Sequence, residues 1–297
     1  MIIQKLKELN KLLFVIAMVA LTIQVRAFQE DSIKANTHLK KKLILGGVAY
    51  ASSMVLLNEA WYKNSPRQSF HFFNDNAEWY QVDKMGHSFT SFHLTRSGST
   101  MFSQAGYSKG RSLIYGSLIS FVIMTPIEWL DGYSTAYGAS LGDIGANILG
   151  SSIYVGSKLL SDKKYFTLKY SFYRTDYAPL RPDVLGESWK SEWLKDYNGQ
   201  TYWVSINMDQ LIPVFPKWIN LAFGTGVTGL VHARPDVNLQ QGYNSYREFY
   251  VAFDPDLSDI RTSKKWIAVL INTLDMFHFP APALEISKNG IKGRFFR

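Results

Sequence analysis

Two different hydrophobic patterns divide the chain. From Leu39 to about Leu160, apolar residues recur in long segments rich in Ala, Gly, Ser, Leu and Met, without the strict alternation of a strand. Such segments are typical of packed helices. They predict four helices, at 39–60, 84–105, 109–130 and 140–160. In the last segment Gly142, Ala146 and Gly150 lie four residues apart, a spacing that permits close contact between helices.

After Asp162 the period of the pattern changes to two. Apolar and polar residues alternate from Phe166 to Phe172 and again from Thr201 to Met208, as in β-strands. The pattern predicts six strands, at 166–172, 201–208, 219–231, 246–253, 283–287 and 291–296, and two amphipathic helices, at 187–195 and 262–276. Aromatic residues occupy both alternating positions, so we expect neither face of the sheet to be simply solvated.

These patterns predict an α+β protein, in which an N-terminal helical bundle is followed by an antiparallel β-sheet or partial barrel. The predicted boundaries are a signal peptide at 1–27, a helical domain at 28–162 and an aromatic-rich β-domain at 163–297. A single-chain outer-membrane barrel needs roughly eight strands or more, so the six predicted strands argue against an independent pore.

The first residues have the three parts of an export signal. Lys5, Lys7 and Lys11 form the charged flank, 12–23 the apolar stretch, and Val25-Arg26-Ala27 the small-x-small cleavage site. The apolar stretch is shorter than the ~20 residues of a spanning helix, so we expect cleavage after Ala27. The chain is therefore predicted to be exported to the periplasm or outer membrane of a Gram-negative envelope.

A second apolar run, at 43–57, has the flanks of a helix at a membrane interface. Three lysines at 40–42 precede it, and Trp61 and Tyr62 follow it. Its helical length of about 22 Å falls short of the ~30 Å hydrocarbon core of a bilayer. The run fits an interfacial or short membrane helix and a buried core helix equally.

The composition narrows the chemistry and the partners. The 297 residues contain no cysteine, which removes disulfides, thiolate metal sites and lipid attachment through cysteine. The formal net charge is +8, of which residues 1–27 contribute +3. With 19% charged and 15% aromatic residues, the chain suits an envelope surface better than nucleic acid. We expect a membrane or lipid as the partner, with an envelope protein or glycan as alternatives, and no nucleic acid.

Four short motifs place polar groups where the helical pattern expects apolar ones. They are Asp83-Lys84-Met85-Gly86-His87, Glu128-Trp129-Leu130-Asp131, Ser140-Leu141-Gly142-Asp143, and Asn147 one turn later. Spacings of three and four residues place each pair on one helical face. Together the groups could hold a divalent cation or form an acid/base pair around a histidine. The predicted catalytic residues are His87, Glu128, Asp131 and Asp143, supported by Asp83, Lys84 and Asn147.

Structural interpretations of the same residues stay open beside the catalytic one. Asp83 fits the N-cap of a helix that begins at Lys84, and Ser140 with Asp143 fits a capping box. Asp131-Gly132 fits a helix end. An unpaired buried carboxylate is costly, so Glu128 is expected to pair, and its candidate partners are His87, Lys84 and Asn147. A hydrogen-bonded structural network, a functional site and an unrelated scatter all agree with the sequence.

Other catalytic chemistries are not indicated. The sequence has no Gly-x-Ser-x-Gly elbow and no Walker loop, and Gly224 to Gly229 matches Gly-x-Gly-x-x-Gly only inside a strand pattern. His93 lies off the helical face of His87 and is predicted to be structural. The remaining histidines have no nearby ligand pattern; they are His38, His71, His232 and His278.

The combined motifs resemble the YfiM-like family of predicted periplasmic lipoproteins, a domain of unknown function. The resemblance rests on Asp-Lys-x-x-His at 83–87, Glu-x-x-Asp at 128–131 and Ser-x-x-Asp-x-x-x-Asn-x-x-Gly at 140–150, and it covers roughly 80–155. A more distant likeness is to the VanZ-like membrane proteins. The family implies an envelope location and no activity. This chain departs from the lipoprotein pattern because it lacks a cysteine for lipidation, so we expect membrane attachment through its helices or its β half.

Two functions follow as hypotheses. The first is a cell-envelope protein, associated with a membrane, that has a structural role or binds a lipid or another partner. The alternative is a membrane-proximal hydrolase or transferase, acid/base or metal-dependent, that acts on phosphate-bearing or lipid-linked envelope substrates. The C-terminal region, with its motifs at 196–203 and 280–282, resembles extended versions of the family from Bacteroidetes envelopes and adds no activity.

Overall fold

The computed structural model of the chain describes residues 37–58, 62, 66–260 and 262–295. The predicted signal peptide at 1–27 lies outside the described residues. By its backbone contacts the chain divides into two compact units, Met1–Ala49 and Tyr50–Arg297. The predicted domain boundary at 162/163 stays a prediction.

Four long helices come first among the described residues, as the sequence predicts. They are α1 (Thr37–Leu57), α2 (Val82–Gln104), α3 (Lys109–Asp131) and α4 (Leu141–Leu160). In the described part of the chain, helix α1 exposes Ile44, Leu45, Val48 and Val55. Among the described helices, α3 alone is long and apolar enough to cross a membrane, a criterion that a core helix of a soluble protein also meets.

Helices α2, α3 and α4 approach each other through small residues. A Cβ added to Gly98 in α2 would lie 2.9 Å from the Cα of Gly116 in α3. A Cβ added to Gly150 in α4 would overlap the carbonyl group of Ser88 in α2. The small residue at position 150 therefore permits the backbones of α2 and α4 to touch, as its predicted spacing indicates.

Six strands follow and form one antiparallel meander in chain order. They are β1 (Phe166–Phe172), β2 (Gln200–Ile206), β3 (Ile219–Thr228), β4 (Tyr246–Pro255), β5 (Ala283–Ser287) and β6 (Gly290–Arg294). The α+β class and the six strands are confirmed. Strand β3 ends at Thr228 and not at the predicted 231, because Gly229 turns the chain with a φ of 78°.

Four short helices lie between the strands. They are α5 (Pro182–Leu185), α6 (Trp189–Lys195), α7 (Pro235–Gln240) and α8 (Lys265–Leu274). Helices α6 and α8 correspond to the two predicted amphipathic pieces, whereas α7 has no counterpart in the prediction.

The sheet has an unusual distribution of polarity between its faces. One cross-strand row, running through paired residues of β1 to β5, contains Lys169, Trp203, Tyr250 and Glu285, all at most 1% exposed. The adjacent row on the other face contains Val204, Phe223 and Leu284, which are 39%, 45% and 54% exposed. Polar residues are thus buried on one face while apolar residues are exposed on the other, the reverse of an ordinary soluble sheet.

The sheet curls toward its buried face. Strands β1 and β4 are three strand spacings apart, about 14 Å in a flat sheet. Nevertheless the Nζ atom of Lys169 in β1 lies 2.6 Å from Oδ2 of Asp254 in β4. Side chains of this length meet only if the sheet bends, so we call the Lys169 side the concave face and the Phe223 side the convex face.

The segment after α8 completes the edge of β1. The amide of Tyr170 donates to the carbonyl oxygen of Met276 at 3.0 Å. The amide of His278 donates to the carbonyl oxygen of Tyr170 at 2.9 Å. This pairing places the ring of His278 on the ring of Trp203, with 3.9 Å between centroids, and its Nδ1 atom 2.9 Å from Oδ1 of Asp254. His278, which the sequence leaves without a partner, is therefore part of the buried concave face.

Near β1 the convex face packs against the helices. Phe166 and Leu168 contact a buried cluster formed by Phe92 of α2, Leu113 of α3 and Tyr154 of α4. On the same face, Tyr202 of β2 and Val227 of β3 also lie against α2, beside Phe89 and Val82. The exposed part of the convex face is formed by Val204, Phe223, Phe249, Phe253 and Leu284. The contact at β1 fixes the start of the sheet against the bundle, and the site described below lies on the same helices.

Candidate functional site

A left-handed turn leads into the first helix of the site. Trp79, Tyr80 and Gln81 all have positive φ, at 48°, 48° and 62°, a conformation that costs free energy for residues other than glycine. The amide of Trp79 donates to the carbonyl oxygen of Ala233 at 2.7 Å, and Arg247 donates to the carbonyl oxygen of Tyr80. Contacts from the β half therefore hold this turn in place.

The turn corrects the prediction that Asp83 caps a helix. Helix α2 begins at Val82 with Gln81 as its N-cap, so Asp83 lies inside the first turn. Its Oδ1 atom accepts a hydrogen bond of 2.9 Å from the hydroxyl of Tyr197. The carboxylate is thus free of a capping role and belongs to the site.

Lys84 is the paired cation of the site. Its Nζ atom lies 2.7 Å from Oδ1 of Asp75 and 3.1 Å from Oδ1 of Asp143. Burial disfavours the charges of both partners, but their pairing holds the pKa of Asp75 below and that of Lys84 above the usual value. The motif at 83–87 and the motif at 140–143 are joined by this ion pair.

The start of α4 is capped from two directions. The hydroxyl oxygen of Ser140 accepts from the amide of Asp143 at 3.1 Å, which confirms the predicted N-cap. The amide of Ser140 donates to Oε2 of Glu128 at 3.1 Å. In a capping box this amide would bond the residue at the third helical position. Here Glu128 of α3 takes that place, so the side chain of Asp143 is available to Lys84.

His87 lies at the centre of the polar cluster. Its Nδ1 atom is 3.2 Å from Oδ1 of Asn147 and 3.6 Å from Oε1 of Glu128, and its Nε2 atom is 3.9 Å from Oδ1 of Asp83. The side chain of His87 is 13% exposed and that of Glu128 is 5% exposed. Among the described residues, Oε1 of Glu128 has no hydrogen-bond partner.

The cluster retains protons that isolated carboxylates would lose. Burial, reinforced by neighbouring carboxylates, raises the pKa of Glu128 to about 8, of Asp143 to about 7 and of Asp131 to about 6. Burial alone would lower the pKa of His87, but the charges of Asp83, Asp143 and Glu128 raise it above 6.5. Groups whose pKa values lie near neutrality in a pocket are typical of functional sites.

Asp131 ends α3, as predicted, and its carboxylate is held by an aromatic side chain. The hydroxyl of Tyr62 donates to Oδ1 of Asp131 at 2.7 Å. The following Gly132 stays in the right-handed region with a φ of −58°, so the helix ends without the left-handed turn that glycine often supplies.

A pocket of about 600 Å³ opens onto these residues. Its polar lining includes Asp83, His87, Asp131 and Asp143. Its apolar and aromatic lining includes Phe89, Leu94, Tyr170, Trp193, Tyr202 and Phe277. The volume is in the usual range for a small-molecule site, and the two kinds of lining suit a ligand with a polar and an apolar part.

The structure brings together all seven residues that the sequence singles out, although their catalytic role stays a prediction. It also adds Asp75, Tyr62 and Tyr197, which bond to members of the cluster. None of these three lies in one of the four motifs, and Tyr197 comes from the β half of the chain. Asp83, His87 and Asp143 each offer a potential ligand atom, and these atoms lie within 4.8 Å of one another.

His93 has the structural role that the sequence predicts for it. It is 4% exposed, and its Nε2 atom donates to the carbonyl oxygen of Leu168 at 2.7 Å. Burial lowers its pKa to about 3. The ring therefore ties α2 to β1 in its neutral form.

This low pKa predicts a loss of stability in acid. The unfolded chain binds a proton near pH 6.5 and the folded chain only near pH 3. The contribution of His93 is therefore complete above pH 6.5 and falls as the pH decreases, by at most about 1.4 kcal/mol per pH unit. Denaturant unfolding of the wild type and of His93→Gln across this window measures the effect. Parallel pH profiles of the two proteins would contradict it.

Comparison with known proteins shows a likeness over part of the chain. Residues 70–157 match the model of a family described as "Predicted periplasmic lipoprotein (DUF2279)". The match covers α2, α3, most of α4 and all seven residues of the predicted site, and it confirms the resemblance to a family of predicted periplasmic lipoproteins. It supports an envelope protein that is exported to the periplasm. The likeness to VanZ-like proteins stays a prediction. No curated protein and no solved structure matches the chain significantly.

Proposed function

We propose that the protein associates with a membrane of the cell envelope and binds a lipid or lipid-linked molecule in its pocket. The observation that carries this proposal is the inverted polarity of the sheet. A convex face of exposed apolar residues around a buried polar face is the arrangement of sheets that face lipid in the outer membrane. We therefore propose the outer membrane as the surface that the convex face contacts.

The size of the exposed apolar surface supports contact with lipid. On the convex face Phe223, Phe249 and Phe253 are 45%, 51% and 55% exposed. On the helices, Phe121, Trp129 and other large apolar side chains are also more than half exposed. Extended apolar patches on a folded protein mark surfaces that contact a membrane or another protein.

The pocket supports an amphipathic ligand. Its aromatic lining offers apolar contact for a chain or ring system, and its polar end offers Lys84 nearby and a cluster of carboxylates around His87. A lipid-linked envelope molecule combines these two chemistries. The pocket would hold the polar part of such a ligand among the helices while the apolar part contacts the aromatic residues.

Binding to vesicles tests the membrane proposal. We expect the triple variant Phe223→Gln, Phe249→Gln, Phe253→Gln to bind vesicles of phosphatidylethanolamine and phosphatidylglycerol at least about a hundredfold more weakly than the wild type. The reason is that each phenylalanine gains roughly 1 kcal/mol or more when it leaves water. Co-sedimentation of the purified mature protein with vesicles measures the binding.

A matched variant separates the convex face from apolar exposure in general. Leu180, Leu211 and Leu239 are 53%, 58% and 70% exposed and lie outside the sheet. Replacing all three with glutamine is expected to leave vesicle binding nearly unchanged. Equal losses in both triple variants, or no binding by the wild type, would refute the proposed role of the convex face.

The position of His87 favours a second candidate function, hydrolysis or group transfer on a phosphate-bearing or lipid-linked substrate. The ring lies between Asp83 and Glu128, at 3.9 and 3.6 Å, as expected for a histidine that exchanges a proton while carboxylates orient it. A test is phosphate release from vesicles that contain a polyprenyl diphosphate. For an enzyme, His87→Gln would abolish release without lowering the melting temperature. Release that survives this substitution would exclude His87 as the acid or base.

A further inference from the structure

We propose that Asp83, His87 and Asp143 bind a divalent cation at the polar end of the pocket. Their ligand atoms lie within 4.8 Å of one another. Metal–ligand bonds are about 2.0–2.6 Å long, so atoms that share one ion lie up to about 5 Å apart. The three side chains already have this spacing, and two of them, Asp83 and His87, are one turn apart on α2.

The charges around the three residues favour a cation. Five carboxylates gather here, from Asp75, Asp83, Glu128, Asp131 and Asp143, against the side chains of Lys84 and His87. The Nζ atom of Lys84 lies 2.7 and 3.1 Å from two of the carboxylates. Loss of the protons from the other carboxyl groups would leave negative charge beside the imidazole. An added cation would compensate it.

The surroundings of His87 match those of a metal ligand. A ligating histidine usually donates its second ring N–H to an oxygen atom, which fixes the tautomer and the ring. Here Nδ1 lies 3.2 Å from Oδ1 of Asn147, which leaves Nε2 beside Asp83. Independently, Oε1 of Glu128 lacks a hydrogen-bond partner in the described part of the chain although the residue is only 4% exposed. This oxygen lies 3.6 Å from Nδ1 of His87, beside the ring that would bind the ion.

Two carboxylates and one imidazole form a donor set of intermediate softness. Such a set favours Mn²⁺ or Zn²⁺ over Ca²⁺, which prefers oxygen ligands alone. Three protein ligands leave coordination positions open to the pocket, as in catalytic metal sites. Water or a phosphate oxygen of the ligand would occupy them.

A cation bound at Nε2 would take the place of the proton there. His87 would therefore not act as an acid or base at this nitrogen while the ion is bound. The inference does not depend on membrane attachment, since all three ligands belong to the helical half. It deepens the proposed function at one point: a cation at this end of the pocket would select ligands that carry phosphate.

Isothermal titration of the purified mature protein with Mn²⁺ and Zn²⁺, after removal of bound metal with a chelator, tests the site. We expect one ion per chain and tighter binding of Mn²⁺ or Zn²⁺ than of Ca²⁺. Asp83→Asn and His87→Gln are each expected to weaken binding by about a hundredfold. Electron paramagnetic resonance of bound Mn²⁺ should show coupling to one imidazole nitrogen in the wild type and none in His87→Gln.

Asp131→Asn is the matched control, because it removes an equal charge from the same pocket without removing a ligand. We expect its affinity to stay within about fivefold of the wild type. Circular dichroism in the presence of chelator establishes that each variant is folded. Asp83, with a side chain that is 32% exposed, provides a variant expected to fold even if the substitution at His87 does not.

Two results would overturn the proposal: no binding by the folded wild type, or equal weakening in Asp83→Asn and Asp131→Asn. The first means that the cluster is a hydrogen-bonded network, and the second that only its overall charge attracts cations. Vesicle binding of Asp83→Asn is expected to equal that of the wild type. Failure of the metal site is therefore distinguishable from failure of the membrane proposal.

Discussion

Replacing Lys169 with methionine is expected to lower the free energy of unfolding by about 3–5 kcal/mol. The lysine is 0% exposed, and its Nζ atom lies 2.6 Å from Asp254 and 3.5 Å from Asp275. Methionine would fill a similar volume but leave buried carboxylate charge without its closest cation. Since a typical domain is stable by only about 5–15 kcal/mol, the loss should be visible in a single denaturant titration.

Two further variants give this prediction its controls. Lys109 also pairs with an aspartate at 2.8 Å, but the two side chains are 48% and 89% exposed, so Lys109→Met should change stability by less than about 1 kcal/mol. The double variant Lys169→Met, Asp254→Asn should regain part of the loss, because it removes the unpaired charge of Asp254. If Lys169→Met costs no more than Lys109→Met, the buried pair does not stabilise the sheet.

Replacing Gly150 with alanine is expected to destabilise the protein by about 3 kcal/mol or more, at or above the upper end of overpacking costs. The added Cβ would overlap the backbone carbonyl of Ser88, and a backbone group cannot rotate away as a side chain can. Helices α2 and α4 would have to separate next to His87 and Asn147, whose side chains meet at 3.2 Å. Thermal unfolding of the variant measures the cost.

Gly145 provides the control for this substitution, since it lies in the same helix. A Cβ there would have no neighbour within 4 Å among the described residues. Alanine is the better helix former, so Gly145→Ala should leave stability unchanged or raise it by up to about 1 kcal/mol. Equal melting temperatures for Gly150→Ala and Gly145→Ala would show that α2 and α4 tolerate a wider separation.

The fold was predictable because most of its elements have a strong local pattern. The alternation from Phe166 to Phe172 predicts β1 with the observed bounds, and the long segments without alternation predict α2 to α4 with shifts of a few residues at their ends. The short α7 has too few residues for a period to show. The curl of the sheet was not predictable either, because it depends on contacts between strands that are not neighbours in the sheet.

The candidate site was predictable to the extent that its residues share helical faces. Spacings of three and four residues bring Asp83 next to His87 and Ser140 next to Asp143, and the structure confirms both pairs. The contribution of Tyr197 was not predictable, since it reaches Asp83 from more than a hundred residues away and no local pattern records such contacts.

The pairing between Asp254 and His278 shows the same limit. Each residue has an unremarkable sequence environment, and only the segment that runs back along β1 brings them to 2.9 Å. No role could therefore be predicted for His278, although the ring is fully buried between Trp203 and a carboxylate. Buried polar contacts of this kind are determined by topology, which periodicity does not report.

The return of residues 276–278 to the edge of β1 also sets the order in which the β half can be assembled. The hydrogen bond from Tyr170 to Met276 joins residues that are roughly a hundred positions apart in the chain. Bringing them together costs loop-closure entropy. During synthesis from the N-terminus, Lys169 and Asp254 are therefore made before Asp275 and His278, which contact them in the folded protein. We expect a chain truncated before residue 275 to lack the contacts of Asp275 and His278 with the concave face and to leave the edge of β1 open to other strands.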